Sequence, residues 1–230
     1  MGALGRVASY LKRRKFPREV IVVDDGSTDR SAKLISQFVK NHPGFSLLKN
    51  SHQGKAAAVI TGMLKARGKY ILFTDLDQAT PINEVEKFLP YFEKGSDVVI
   101  GSRNTRREGA PILRLAMARG FMALRSLILG LRGITDTQCG FKAFKREIAQ
   151  NLFKKLKLYS QKINVKGSTV TAGFDVELLF LAKKLGYSII EVPVTWHYVE
   201  SKRVNLLKDS WEGFWDLVKI RLNDIRGLYD

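Results

Sequence analysis

The feature that most constrains the fold is a regular alternation of short apolar runs with helical segments in the first hundred residues. Residues 19–24, 70–74 and 97–100 are rich in β-branched and aromatic side chains and lack the polar alternation of a half-exposed strand. Residues 30–41 and 54–67, which lie between them, place apolar side chains at helical spacing. Strand–helix–strand order predicts parallel strands joined by right-handed crossovers. The predicted fold class is therefore α/β, with a mainly parallel sheet.

Beyond residue 103 the alternation gives way to longer amphipathic and basic segments. An apolar strand pattern over residues 187–196 is interrupted by Pro193, which predicts an edge strand or a bulge because proline cannot donate to a neighbouring strand. Residues 136–144 are predicted to be a turn followed by a strand or a helix. Helical spacing of apolar residues predicts helices over residues 111–131, 147–158, 174–185 and 204–228.

Polar clusters follow three of the predicted strands at the point where each strand ends. Asp24 and Asp25 end the first, Asp75 and Asp77 follow the second, and residues 101–103 close the third. In parallel α/β sheets, ligands bind at the carboxyl ends of the strands. The sequence therefore predicts a binding site along one edge of one sheet.

Asp75 and Asp77 have the chemistry of a metal site. Two hard carboxylate donors, completed by diphosphate oxygens and water, suit Mg²⁺ or Mn²⁺. Such an ion neutralises the charge that builds on a departing diphosphate. The Asp-x-Asp pattern alone has little weight because it often occurs by chance, so the prediction depends on its place at the end of a buried strand.

Two further segments are candidates for contacts with a nucleotide. The carboxylates of Asp24 and Asp25 can accept hydrogen bonds from a nucleobase N–H or a ribose hydroxyl, and Gly26 permits a tight turn beside them. Gly54 and Lys55 open a helix, whose N-terminus attracts phosphate, and Lys55 adds a positive charge. Taken alone, Lys55 fits a solvated surface residue equally well.

The charge of the chain indicates an anionic partner. The 230 residues include 39 Lys or Arg and 22 Asp or Glu, for a net charge of +17. The excess is concentrated in residues 103–166, which hold 15 basic and 3 acidic residues. Phosphate, nucleic acid and an acidic membrane surface are the candidate partners, and a solvated basic face is the alternative. Carboxylates at the strand ends would repel nucleic acid, which argues against that partner.

Other sequence features bound the class of protein. No apolar run reaches the roughly 18–20 residues that a membrane span requires, and the N-terminus has no signal-peptide pattern. The expectation is a soluble or peripheral protein. The lone cysteine, Cys139, excludes an internal disulfide and is expected to be a small buried residue.

These motifs occur together, in order, in a known family. The chain resembles the inverting family-two glycosyltransferases with a GT-A fold, a Rossmann-like three-layer sandwich, through the segments that contain the strand-end clusters and through residues 136–142, DTQCGFK. More narrowly it resembles the polyprenyl-phosphate sugar transferases. The DTQCGFK segment and residues 191–205 look most like the dolichyl-phosphate glucosyltransferases.

The resemblance implies a reaction and a set of residues. A nucleoside-diphosphate sugar, expected to be UDP-glucose, gives its sugar to a polyprenyl or dolichyl phosphate with inversion. Asp24 and Asp25 would hold the nucleoside, and Asp75 and Asp77 the metal and diphosphate, with Lys55 nearby. Asp175 would be the catalytic carboxylate. The cations that bind the acceptor phosphate or the donor diphosphate would be Arg103, Arg119 and Lys202.

The acceptor chemistry lowers the demand on Asp175. A phosphate monoester has a second pKa near about 6 and is already a nucleophile at neutral pH. Positioning and charge neutralisation can then supply most of the rate. The expected protein is peripheral on the cytoplasmic face of an anionic membrane. The expected organisation is a GT-A domain over residues 1–203, with a nucleotide-sugar half up to residue 103 and an acceptor half beyond it, followed by a membrane-facing amphipathic helix over 204–230.

The chain departs from the family pattern in two respects. Relatives begin with a strand ahead of the first helix, whereas this sequence begins at that helix, so a gap in the sheet is expected. Gln78 and Ala79 differ from the mannosyl-transferring relatives, which disfavours a metal-ligand role for a glutamine. The alternatives left open are a mannosyl or other donor, a basic nucleic-acid-binding or membrane-binding protein, and a truncated domain that is inactive or depends on a partner.

Overall fold

The computed structural model describes residues 2–103, 112–159, 172–197 and 206–230. None of the helices in these ranges is long and apolar enough to cross a membrane. The elements, in chain order, are α1 (Ala3–Lys12), β1 (Val20–Asp24), α2 (Ser31–Lys40), β2 (Phe45–Lys49), α3 (Lys55–Lys65), β3 (Tyr70–Thr74), a 3-10 helix (Ile82–Lys87), α4 (Leu89–Glu93), β4 (Val98–Arg103), α5 (Ile112–Leu129), β5 (Phe141–Lys145), α6 (Arg146–Lys155), α7 (Ala172–Lys184), β6 (Ile189–Val194) and α8 (Leu206–Ile225).

The larger sheet has four strands in the order β3-β5-β4-β6. β5 runs antiparallel to both of its neighbours, whereas β4 and β6 are parallel, so three of the four strands point in one direction. Pro193 lies in β6 at the edge of the sheet, as its inability to donate predicted. The segment that the sequence left open as strand or helix is β5, and it occupies an interior position.

The prediction that all three polar clusters lie at the edge of one sheet is wrong. Among the described residues, β1 pairs only with β2, in a separate two-stranded parallel sheet. Helix α3 packs against both β1 and β3. The carboxyl ends of these strands are therefore brought together by a shared helix rather than by backbone pairing.

Aromatic rings fill the core on the helical side of the larger sheet. Phe73 of β3 lies against Phe144 of β5, with ring centroids 6.2 Å apart, and against Phe174 of α7 at 6.4 Å. Phe153 of α6 packs on Phe174 at 6.1 Å. Helix α7 is apolar around most of its circumference and is almost wholly buried, which is typical of a helix at the centre of a fold. It carries two buried acids, Asp175 and Glu177.

Glu177 ties the end of the chain to this central helix. The carboxylate accepts hydrogen bonds from the backbone N–H groups of Lys157 and Leu158, and from the buried hydroxyl of Tyr229 at 2.7 Å. Burial raises the pKa of Glu177 despite these donors. A buried carboxylate needs such donors because losing one exposes its desolvation cost. Tyr229 therefore anchors the segment that follows α8.

We expect Tyr229→Phe to lower the free energy of unfolding by about 1–2 kcal/mol, because it removes one donor from a buried carboxylate while keeping the ring. Urea unfolding followed by circular dichroism measures the change. Tyr91→Phe, at a half-buried tyrosine of α4, is the matched control. Equal stability of the two variants would contradict the anchoring role.

Candidate functional site: a charged cluster at the carboxyl ends of β1, β3 and β4

Asp75 and Asp77 lie in a tight turn directly after β3. The backbone N–H of Gln78 donates to the Asp75 carbonyl at 3.2 Å, and the N–H of Ala79 donates to Oδ1 of Asp77 at 2.9 Å. Gln78 has a φ of 56° and directs its side-chain amide to the Asp75 carbonyl. The strand does not continue through the motif, so the turn rather than strand alternation positions the two carboxylates.

Lys55, the first residue of α3, joins several of the predicted site residues. Its Nζ lies 2.6 Å from Oδ1 of Asp75, and both side chains are partly exposed. Burial opposes the charge of the lysine, but Asp75, Asp175 and Asp77 outweigh this effect and raise the pKa of Lys55. The structure therefore pairs Lys55 with Asp75 and places Asp77 and Asp175 near enough for their charges to act on the lysine.

Asp25 positions the start of α3. Its carboxylate accepts hydrogen bonds from the backbone N–H of Gly54 at 2.6 Å and of Gln53 at 3.1 Å, and it faces His52 Nδ1 at 3.0 Å. These contacts connect the end of β1 to the helix that carries Lys55. Asp24 is buried and accepts hydrogen bonds from the backbone and the hydroxyl of Ser27. The predicted roles of both aspartates toward a nucleoside stay predictions.

Asp175 is paired with a lysine that the sequence analysis did not assign. The Nζ of Lys142 lies 2.5 Å from Oδ1 of Asp175 and donates to the Cys139 carbonyl at 2.5 Å. It also lies 5.3 Å from the centroid of the Phe73 ring. Lys142 is fully buried. A lysine between the apolar residues Phe141 and Ala143 of β5 was the signal that could have identified this pair.

Arg103 is engaged by Asp136, another residue of the DTQCGFK segment. The Nε and Nη2 atoms of Arg103 contact Oδ2 and Oδ1 of Asp136, each at 2.7 Å. The backbone N–H of Arg103 also donates to this carboxylate, and its guanidinium lies 5.8 Å from the Trp196 ring centroid. The bidentate pair uses the N–H of Nε and one N–H of Nη2. The expected role of Arg103 toward a phosphate stays a prediction.

Two more charged side chains brace the same loop. Glu191 of β6 accepts hydrogen bonds from the backbone N–H groups of Thr135 at 2.7 Å and Asp136 at 2.8 Å. Arg125 of α5 is buried and donates to the Thr137 hydroxyl at 2.7 Å and to the carbonyl of Ile134 at 2.5 Å. Together with Arg103, these contacts fix the loop over residues 134–138 from three different elements.

The braced loop leads to Gly140, which packs against Asp75. A β-carbon built on Gly140 would lie 2.7 Å from Cγ of Asp75, well inside van der Waals contact. Gly140 is not among the glycines with positive φ, so the space rather than the backbone angle requires glycine here. Cys139 beside it is buried, as predicted.

The remaining predicted residues are only partly observable. Arg119 lies in α5, but its side chain is outside the described residues, as is all of Lys202. Within the described ranges, no three His, Cys, Asp or Glu side chains are grouped to hold a metal ion. This part of the chain therefore offers two carboxylates, Asp75 and Asp77, to such an ion.

The chain matches a known family and curated relatives. Residues 4–153 match the family described as glycosyl transferase family 2. The dolichyl-phosphate beta-glucosyltransferase of Dictyostelium discoideum is 34% identical over 95% of this chain and 67% of its own length. The enzyme of the same name from Saccharomyces cerevisiae is 36% identical over 96% of this chain and 70% of its own length.

Solved structures confirm the fold. Mannosyl-3-phosphoglycerate synthase from Rubrobacter xylanophilus superposes with a TM-score of 0.62 at 17% identity, covering 97% of this chain and 68% of that one. A mannosyltransferase from Pyrobaculum calidifontis, solved in complex with GDP-Man and Mn²⁺, gives a TM-score of 0.59 at 20% identity, covering 97% and 60%.

The fold is thus the GT-A α/β fold predicted from the sequence. The chain belongs to glycosyl transferase family 2, and the relatives reported above are dolichyl-phosphate beta-glucosyltransferases.

We expect Asp136→Asn to lower the free energy of unfolding by about 3 kcal/mol at neutral pH, because it leaves the Arg103 charge without its partner. Burial opposes the charge of Asp136, but the hydrogen bonds from Arg103 hold its pKa below the ordinary value. Its stabilising effect is therefore present above the unfolded-state pKa and is lost as pH falls through the folded-state pKa.

The measurement is urea unfolding as a function of pH. The variant should show a smaller loss of stability at acid pH than the parent chain, and Glu93→Gln, at an exposed acid of α4, should behave as the parent does. An acid profile that Asp136→Asn leaves unchanged would contradict the assigned pair.

Proposed function

We propose that this chain transfers glucose from UDP-glucose to dolichyl phosphate or another polyprenyl phosphate, with inversion at the anomeric carbon. The observation that carries the proposal is the convergence of Lys55, Asp75, Asp77 and Asp175 in one cluster. The sugar and the lipid are those named for the related dolichyl-phosphate beta-glucosyltransferases.

The donor set of the cluster fits a divalent metal. Mg²⁺ typically binds through one or two carboxylates and keeps water and substrate phosphates as its other ligands. Asp75 and Asp77 would hold the ion, which would supply neutralising charge to the departing diphosphate. Lys55 pairs with Asp75 in the described structure. We expect this lysine, at the N-terminus of α3, to turn toward the diphosphate when the donor binds.

The Lys142–Asp175 pair suits a phosphate acceptor. A phosphate dianion needs no strong base to become a nucleophile, but a carboxylate of uncompensated charge nearby would repel it. Lys142 compensates the charge of Asp175 from the buried side. Asp175 can then orient the acceptor or the sugar. Arg119 and Lys202 are the cations proposed to bind the acceptor phosphate. Asp24 and Asp25 are proposed to hold the nucleoside.

A lipid acceptor places the enzyme at a membrane. The phosphate of a polyprenyl phosphate lies in the headgroup region, whereas a nucleoside-diphosphate sugar is dissolved in water. The net charge of +17 favours an anionic surface. We therefore propose that the protein works as a peripheral enzyme on the cytoplasmic face of a membrane.

The test is a donor-by-acceptor screen with Mg²⁺ or Mn²⁺, in which UDP-glucose and dolichyl phosphate should give lipid-linked glucose. Asp77→Ala should lower the rate by at least about a hundredfold, because it removes charge stabilisation that acts on the transition state. Asp29→Ala, at an exposed aspartate before α2, is the control.

Three outcomes would count against the proposal. Transfer from GDP-mannose but not from UDP-glucose would contradict the donor, and full activity of Asp77→Ala would contradict the metal site. The absence of transfer from any nucleotide sugar would contradict the reaction itself.

Gly140→Ala tests the link between the braced loop and the metal site. The added methyl group must displace the Asp75 carboxylate, so we expect the affinity for UDP in the presence of Mn²⁺ to fall by at least about tenfold. Gly120→Ala is the matched control, because a β-carbon at this exposed position of α5 would meet no atom within 4 Å. Calorimetry of both variants measures the affinity.

The control should also gain about 0.5–1 kcal/mol of stability, because alanine is preferred to glycine inside a helix. Equal affinity of both variants for the nucleotide would contradict the positioning of Asp75 by Gly140.

A further inference from the structure

Over residues 211–225, helix α8 has two apolar faces, and only one of them is covered. The covered face carries Gly213, Leu217 and Ile220, which are buried where α8 packs against α5 and α7. A β-carbon on Gly213 would lie 3.2 Å from the Phe121 ring of α5, so this packing is close. The requirement for a hydrophobic face toward the core is therefore met by these residues alone.

The second face is exposed and is rich in large apolar side chains. Trp211 is 63% exposed, Trp215 44%, Leu222 43% and Ile225 70%. At 100° per residue these four positions fall within an arc of about 80°, opposite the covered face. We call these four residues the α8 stripe. A contiguous apolar surface of this kind on a folded domain typically marks an interaction site.

The composition of the α8 stripe suits the interface of a lipid bilayer. Trp211 and Trp215 pack edge to face with centroids 5.8 Å apart, which forms one aromatic surface on the first half of the helix. Tryptophan is enriched at membrane interfaces because its ring is apolar and its N–H can still reach water. Leu222 and Ile225 extend the surface along the second half.

Cations flank the α8 stripe on both sides. Lys219 and Arg226 lie about 60–80° to one side of its centre, and Arg221 about 80° to the other. All three are exposed. The acids over residues 211–225 of the helix lie further back. Glu212 is exposed at about 100° from the centre, and Asp216 and Asp224, which pair with Lys219 and Arg221, are at about 140°. The stripe therefore has a basic border, the pattern of helices that lie on anionic membranes.

We infer that the α8 stripe docks on the surface of an anionic phospholipid bilayer. This inference rests on the proposed function only in its choice of a lipid partner. The main alternative occupant is a second copy of the chain. A symmetric pairing of stripe against stripe would bring the basic borders of two copies together, and like charges in an interface disfavour such a pairing.

Docking through α8 leaves one helix between the membrane and α7, which carries Asp175. Asp216 follows Trp215 of the stripe and contacts the first turn of α7, where a β-carbon on Gly173 would lie 2.6 Å from Cγ of Asp216. The hydroxyl of Tyr159 donates to Asp216 at 2.7 Å and strengthens this junction. Asp175 is two residues beyond Gly173. The helix that meets the lipid therefore packs directly on the helix that carries the candidate catalytic carboxylate.

The first test is co-sedimentation of the full chain with vesicles that contain no polyprenyl phosphate. We expect binding to vesicles of three parts phosphatidylcholine to one part phosphatidylserine. Trp211→Ser with Trp215→Ser should weaken it by about a hundredfold, because two large apolar side chains are lost from the contact. Phe16→Ser with Leu34→Ser is the control, since both positions are also exposed and apolar but lie outside α8. Failure of the parent chain to bind, or an equal loss in both double variants, would overturn the proposal.

The second test separates the basic border from the apolar stripe. Lys219→Gln with Arg226→Gln should reduce the preference for phosphatidylserine-containing over pure phosphatidylcholine vesicles by about tenfold or more. Trp196→Phe leaves only the two stripe tryptophans of the three in the chain. Its fluorescence should shift to the blue when anionic vesicles are added, and an unshifted spectrum would overturn the proposal.

Analytical ultracentrifugation without lipid tests the other occupant. The parent chain and the Trp211→Ser, Trp215→Ser variant should both sediment as monomers. A dimer that the variant abolishes would assign the stripe to a second copy and overturn the lipid assignment.

UDP binding in lipid-free solution keeps this proposal distinct from the proposed function. The variants of the stripe should bind UDP as the parent chain does. Vesicle binding without any sugar transfer would uphold the docking surface and reject the proposed reaction. Sugar transfer by a chain that does not bind vesicles would uphold the proposed reaction and overturn the docking surface.

Discussion

A lysine with no exposed surface holds the central elements of this protein together. Lys142 lies on β5, the strand between β3 and β4, and its ammonium group contacts Asp175 on α7 and the Cys139 carbonyl in the preceding loop. Removing an ammonium ion from water costs several kcal/mol, and only close partners can offset this cost. The sheet, the loop and the central helix therefore have to be in place together, because each supplies one side of the lysine's environment.

The loop before β5 connects these buried elements to the surface of the site. Arg103, Arg125 and Glu191 hold it from β4, α5 and β6, and their hydrogen bonds go to its backbone or to short polar side chains. Gly140 then meets Asp75 on the far side of the loop. A carboxylate whose neighbours are rigid loses little freedom when it binds an ion or a substrate, which is how a preorganised site differs from a mobile one.

Sequence reasoning was successful where the information is local. The end of β3, the motif Asp75-x-Asp77 and the start of α3 at Lys55 all follow from strand patterns and helix signals, and the structure places them together. It failed where the outcome depends on distant partners. The insertion of β5 between β3 and β4 and the pairing of Arg103 with Asp136 require knowledge of which strands are neighbours.

The roles of the paired aspartates show the same limit. The sequence did not reveal that three backbone or side-chain partners from residues 52–54 converge on the carboxylate of Asp25. Likewise, the pairing of β1 with β2 alone could not be read from a pattern that only predicts parallel strands. In each case, a polar group was assigned from its chemistry, whereas its partners were set by packing.

The interior position of β5 also has a consequence for synthesis on the ribosome. β3 pairs with β5, with Tyr70 opposite Lys145, and β4 pairs with the other side of β5. Neither strand can therefore complete its hydrogen bonds until the chain has been made through residue 145. During that interval two apolar strands have no partner between them, and nascent segments of this kind tend to aggregate. The order of the strands in the sheet thus differs from the order in which they are translated, and β3 and β4 lack their shared partner until β5 has been made.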